Sequence, residues 1–277
     1  MRQQWLVAAC SILLLAALYF FGRTKPYPKG VTQTARDTAS SVSGGEAFLA
    51  EARKNLPPAQ MARINALENS ITRGDLVSQR IALYGQLASF WKDSAGNRLA
   101  YVYYLGEKAK LENTEKNLNF AAQSYLEELK SVPDPAARTW MANEAQALFG
   151  KSLEINPAND SAKVGWGSTF IFGASGAPME GIMKIREVAE KDSTFMYAQF
   201  MLGYGAMMTG QYDKAVERLL KVVAGESGNT EAVFLLGEAY ERAGKKAEAV
   251  KWYSAGRKKV SSPELLKAID EKIKTLQ

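Results

Sequence analysis

The side chains that could do chemistry in this chain suit contact better than bond-making. There is no histidine and a single cysteine, Cys10. The usual general base, proton shuttle and commonest metal ligand are thereby missing. Neither an internal disulfide nor a thiolate zinc site can be assembled. No nucleophile–base pair or phosphate loop stands at a recognisable spacing, and Gly173-x-x-Gly176 reads as a turn. Lysine and carboxylate groups are the residual catalytic options, so no enzyme activity, metal or cofactor is expected. What does recur is a set of apolar, aromatic and methionine residues at helical spacing: Val164, Ile171 and Phe172, then Tyr197, Phe200, Tyr204, Met207 and Met208, then Phe234. Tyrosine and phenylalanine serve as contact anchors, and methionine adapts its shape to different apolar guests.

Such residues form a surface only if helices hold them on one side, and the chain carries a period that does so. Met201-Leu202-Gly203 and Leu235-Leu236-Gly237 lie 34 residues apart, as do Gly210 and Gly244, and Ala215 and Ala249. Extending that frame gives five units, 81–114, 115–159, 160–195, 196–229 and 230–263. In the first helix of each unit a small residue recurs: Ala88, Ala122, Gly167, Gly203 and Gly237. Trp91, Tyr125, Phe170, Ala206 and Tyr240 follow three positions later. The second helix carries Ala100, Ala145, Gly181, Ala215 and Ala249, with Tyr104, Phe149, Ile185, Leu219 and Tyr253 four residues on. Small residues let helices approach, and the large partner fills the adjoining gap. These columns are expected to be core. The second unit is longer by an 11-residue insertion, most simply placed in Leu126–Thr139 around Pro133 and Pro135.

A 34-residue period with two amphipathic helices per unit resembles the tetratricopeptide repeat. Ala177-Pro178-Met179-Glu180-Gly181-Ile182, with Arg186-Glu187-Val188, resembles the membrane-anchored tetratricopeptide-repeat (TPR) proteins of the Bacteroidota. The resemblance implies an all-α, right-handed superhelix of about five helix-turn-helix repeats over residues 75–277. It also implies a scaffold or adaptor role that leaves the partner unnamed. Pro263 starts a helix whose apolar face suits a C-terminal cap, 264–277, and Pro57-Pro58 divides an N-terminal helical hairpin, 45–74.

In such superhelices the first helix of each unit lines the concave face. That rule assembles Val164, Ile171, Phe172, Tyr197, Phe200, Tyr204, Met207, Met208 and Phe234 into one groove for a protein or peptide partner, including an amphipathic helix. The equivalent positions of units one and two are mostly polar, among them Gln123 and Glu127 of unit two, and unit five sets Glu231 beside Phe234. The opposite expectation is a groove already covered, by the C-terminal helix, the N-terminal hairpin or a second copy of the chain. A subtype of the family clamps chain-terminal carboxylates, but only Asn119 stands at a suitable place, since Ser89, Ser161 and Gly165 are not basic.

Ahead of the repeats, Trp5–Gly22 is an uncharged apolar run. As a helix it spans about 27 Å, enough for the hydrocarbon core of a bilayer. Tyr19, Phe20 and Phe21 stand where a signal-peptidase site would need small residues, so residues 1–22 are expected to remain as a single transmembrane helix. Val7-Ala8-Ala9-Cys10 resembles a lipobox, yet the apolar run continues past the cysteine. Residues 23–44 are rich in proline, glycine, serine and threonine and read as a flexible basic linker. The net charge of +6 resides largely in residues 1–44, where Arg2, Arg23, Lys25, Lys29 and Arg36 face only Asp37. A nucleic-acid partner is therefore not expected. The basic flank weakly favours the repeats on the cytoplasmic side of a bacterial inner membrane, with the periplasmic side as the alternative. Two functions stand: a membrane-anchored interaction scaffold, or a constitutive subunit of a larger membrane complex with its groove occupied.

Overall fold

Thirteen helices follow one another in the computed structural model, which describes residues 44–73, 76–173 and 178–277; no strand occurs among them. The apolar run Trp5–Gly22 and nearly all of the linker lie outside the described residues. Among the described residues no helix is long and apolar enough to cross a membrane. Helices α1 (Gly44–Lys54) and α2 (Pro58–Arg73) form the N-terminal pair. The repeated pairs are α3 (Val77–Ser89) with α4 (Arg98–Glu112), α5 (Glu115–Leu129) with α6 (Pro135–Ile155), α7 (Asp160–Phe172) with α8 (Pro178–Lys191), α9 (Met196–Met208) with α10 (Tyr212–Gly225), and α11 (Thr230–Arg242) with α12 (Lys246–Arg257). Helix α13 (Pro263–Leu276) follows the last pair.

The period is visible in the backbone bonds. Gly210 N–H donates to Met207 and Gln211 N–H to Ala206; 34 residues later Gly244 N–H donates to Glu241 and Lys245 N–H to Tyr240. Both glycines are left-handed, φ 72° and 76°, a conformation that ends a helix at little cost only without a Cβ. The turns between units also recur. Asn156, Asp192 and Glu226 N–H groups donate to Ser152, Val188 and Val222. The Asn159 and Asn229 side chains then accept from the Ala162 and Ala232 amides, starting the next helix.

Within each pair the small residue of the first helix meets the large residue of the second. A Cβ on Gly203 would stand 3.0 Å from Leu219, one on Gly237 3.0 Å from Tyr253, and one on Gly167 2.7 Å from Ile185. In α7–α8 the approach is closest, because a Cβ on Gly167 would stand 2.5 Å from the Gly181 carbonyl oxygen, and the reverse also holds. Only glycine at both positions permits that backbone contact.

The insertion of unit two is mostly helix. Ala145 stands ten residues into α6, whereas Ala215 and Ala249 stand three residues into α10 and α12. The added turns at the start of α6 carry Trp140 to the N-terminal pair. Its ring lies 5.6 Å from that of Phe48 and 5.8 Å from that of Tyr125. A Cβ on Gly45 would stand 2.7 Å from it, so α1 rests directly on this extension. Asp134 caps the extension through the Ala136 and Ala137 amides, with Pro135 in the first turn.

The core forms two clusters. One runs from α4 through α11 and includes Phe149, Leu148, Ile185, Leu219 and Leu236, all fully buried. The other joins Leu49 and Ile64 of the N-terminal pair to Leu87, Trp91 and Tyr104 of the first unit. A π-helical stretch, Phe90–Ser94, widens the end of α3 and turns both Phe90 and Trp91 inward. Glu68 there accepts from Arg53 and from the Tyr104 hydroxyl, and burial pushes the Tyr104 phenol far above its ordinary range.

Candidate concave binding cleft

The first helices of units two to five, α5, α7, α9 and α11, lie side by side, each touching the next. Their shared face holds a cavity of about 240 Å3. Its floor is aromatic and apolar, from Leu126 of α5, Phe172 of α7, and Tyr197, Phe200 and Met201 of α9. Its rim is ionic, from Glu127, Lys130, Glu226 and Glu231.

The curvature brings α5 across to α11. Lys130 Nζ donates to both carboxylate oxygens of Glu231 at 3.0 Å and stands 3.7 Å from Glu127. The same ammonium lies 6.0 Å above the Phe200 ring centroid, within the range at which a cation is drawn to an aromatic face. Lys130 therefore occupies a place lined by an aromatic ring and two carboxylates. Deeper in, the Tyr197 hydroxyl donates to Gln123 Oε1 at 3.2 Å. Burial pushes the Tyr197 phenol up to about 12, because a phenolate there would lose its water.

Of the nine residues singled out by spacing, Phe172, Tyr197 and Phe200 line the cavity. Tyr204 supports it, half-buried, with its ring 5.3 Å from that of Phe172. Val164 is fully buried and Met207 is buried, so both belong to the core. Ile171 is half-buried beside Gly205, and Phe234 packs on Gly256 of α12. Met208 is 61% exposed and does not line the cavity. Lys130, Met196, Met201, Glu226 and Asn229 line the site without having been singled out. Lys130, Glu226 and Asn229 stand outside the helices proper, at positions that a helical period does not address. Among the described residues no group of three His, Cys, Asp or Glu side chains could hold a metal ion.

Comparison with known proteins agrees with this architecture. Residues 200–262 match the family model described as Tetratricopeptide repeat. The stretch that matches the tetratricopeptide-repeat model takes in the whole of α10, α11 and α12 and most of α9. A tetratricopeptide-repeat protein of Parabacteroides merdae superposes with a TM-score of 0.52 at 14% identity, over 84% of this chain and 86% of that one. A thermophilic TPR protein of Thermus thermophilus gives 0.52 at 14%, over 73% and 98%. MamA from Desulfovibrio magneticus gives 0.43 at 18%, over 67% and 96%. No match was found among curated proteins. At 14% identity the first two of these structures speak for the fold alone.

Proposed function

We propose that this protein is a non-enzymatic interaction scaffold, tethered to a membrane by Trp5–Gly22, that binds a protein partner through a peptide segment in the concave cleft. The observation that carries it is the convergence of four first helices on one aromatic floor, Phe172, Tyr197 and Phe200, beneath an ionic rim. A cavity of about 240 Å3 suits one or two side chains of an extended segment better than a whole helix. With Lys130 swung aside, Glu127, Glu226 and Glu231 would leave the mouth acidic over aromatic rings. The favoured guest is a basic side chain flanked by apolar residues, which would take the place Lys130 now holds.

The test is affinity capture from native membranes with the full chain, wild type against Glu127→Lys/Glu231→Lys. Both glutamates are well exposed, so the fold is expected to survive, as circular dichroism would verify. Loss of the captured partner in the double variant supports the cleft, and equal recovery sinks it. A partner that resists exchange with added free peptide would instead mark the chain as a constitutive subunit. Fractionation of cells expressing the chain with and without residues 1–22 tests the tether, since recovery of both forms in the soluble fraction would refute it.

A further inference from the structure

A second concavity lies on the seam between α8, α9 and α10, away from the concave cleft, with a volume of about 250 Å3. Its floor is apolar and built partly of small residues: Ile182 from α8, and Leu202, Gly205 and Ala206 from α9. Three cations surround it, Arg186 from α8 and Lys214 and Arg218 from α10. None of the three makes an ion pair among the described residues. Lys214 Nζ donates to Gln211 Oε1 at 2.7 Å and Arg218 Nη1 to Gln199 Oε1 at 2.9 Å, both neutral amides. The carboxylates nearest in sequence on α10 are engaged elsewhere, Asp213 with Lys245 and Glu217 with Lys221. Other basic side chains on the repeats do meet carboxylates, as in Lys191–Asp160, Arg242–Glu238 and Arg257–Asp270. Lys214 and Arg218 thus bring positive charge to the seam without an ion pair, while Arg186 also borders a groove lined by Glu180, Glu187 and Glu190.

We propose that this seam is a second docking site, for a protein segment presenting one or two carboxylates beside a bulky apolar side chain. The cations meet the carboxylates and the Leu202–Ala206 floor takes the apolar group. A free inorganic anion would leave that floor unused. A flat anionic bilayer could not reach a recessed floor, and it would also meet Glu180, Glu187 and Glu190, which share the outer side of α8 with Met183, Lys184 and Arg186. The site is independent of the concave cleft, which prefers a basic guest.

The experiment uses the full chain in phosphatidylcholine nanodiscs, panned against a random-peptide phage library. Enriched peptides are then synthesised and titrated by fluorescence anisotropy against the wild type, Arg186→Gln/Lys214→Gln, and Glu127→Lys/Glu231→Lys. Lys214 and Arg186 are exposed, so the first variant should keep its melting curve. The expected result is a family of peptides with Asp or Glu next to a large apolar residue. They should bind at least about tenfold more weakly to the Arg186/Lys214 variant, a loss of 1.4 kcal/mol or more, and unchanged to the cleft variant. If no acidic family is enriched, or if its peptides bind the Arg186/Lys214 variant as tightly, the proposal is overturned. It is equally overturned if these two residues prove to govern adhesion to phosphatidylglycerol vesicles in place of peptide binding. Loss of acidic peptides only in the cleft variant would assign them to the concave face and leave the seam empty.

Discussion

Lys130 and Glu231 are 101 residues apart in sequence, yet the ammonium stands 3.0 Å from both carboxylate oxygens, closing the concave face from unit two to unit five. Helix α6 and two helix pairs, α7–α8 and α9–α10, lie between them along the chain, so the contact reports curvature accumulated over several units. The pair bridges the mouth of the cavity whose floor is Phe200, and it is partly exposed on both sides.

An ion pair this open to water contributes little to stability. Lys130→Met is expected to change the unfolding free energy in urea by less than about 1 kcal/mol. It should instead loosen the closure. Amide exchange in the first turn of α11 is expected to quicken while that of α10 is unchanged. An unfolding midpoint far below the wild type, or equal exchange in both helices, would contradict this assignment.

Gly167 and Gly181 should tolerate no side chain. A Cβ at Gly167 would press on the Gly181 carbonyl, which is backbone and cannot swing away. Gly167→Ala is expected to cost about 1–3 kcal/mol, the usual range for overpacking. Gly150, inside α6 with nothing within 4 Å of its would-be Cβ, is the control. Gly150→Ala should leave stability unchanged or raise it by up to about 1 kcal/mol, since alanine is the better helix former. Equal effects of the two substitutions in chemical denaturation would mean that the helices do not cross at Gly167.

Trp140 is expected to hold the N-terminal pair in place. Its ring meets Phe48 and fills the space beside Gly45. Trp140→Ala should speed amide exchange across Gly44–Lys54, with α9 to α12 retaining wild-type protection, because local opening follows local contacts. Uniform loss of protection along the chain would show that the tryptophan acts on the whole array.

Tyr197 imposes an alkaline limit. Its phenol is raised from an ordinary 10.0 to about 12 by burial, so the folded chain holds that proton more tightly than the unfolded chain does. The associated stability is fully present below pH 10 and is lost as pH climbs from there to about 12, on the order of 2–3 kcal/mol in all. Tyr197→Phe removes one titrating group and should make that part of the stability curve less steep, while Tyr103, also raised to about 12 by burial, still contributes. Parallel curves for the two proteins between pH 10 and 12 would refute the burial argument.

Much of the fold was legible in the sequence because its contacts are short-range. Gly203 meets Leu219, and Gly237 meets Tyr253, within a single helix pair. Each such pair repeats 34 residues on, so a column of small residues and a column of large ones predict each other. The cleft was legible in part. Phe172, Tyr197 and Phe200 were found by their positions on first helices, whereas Val164 and Met207 satisfy the same spacing and are core. A period places a residue on a side of its helix. It does not say how much of that side the neighbouring unit covers.

The sequence by itself determined the helix pairs, their caps and the residues that pack within each, because those depend on local backbone geometry and complementary volumes. Tertiary structure alone decided three things: that the extra turns of α6 reach α1 through Trp140, that α5 closes on α11 through Lys130 and Glu231, and that Arg186, Lys214 and Arg218 gather on one seam. The reason is geometric. Small rotations between successive units add up along the array, and their sum, which no single contact encodes, sets which distant side chains meet.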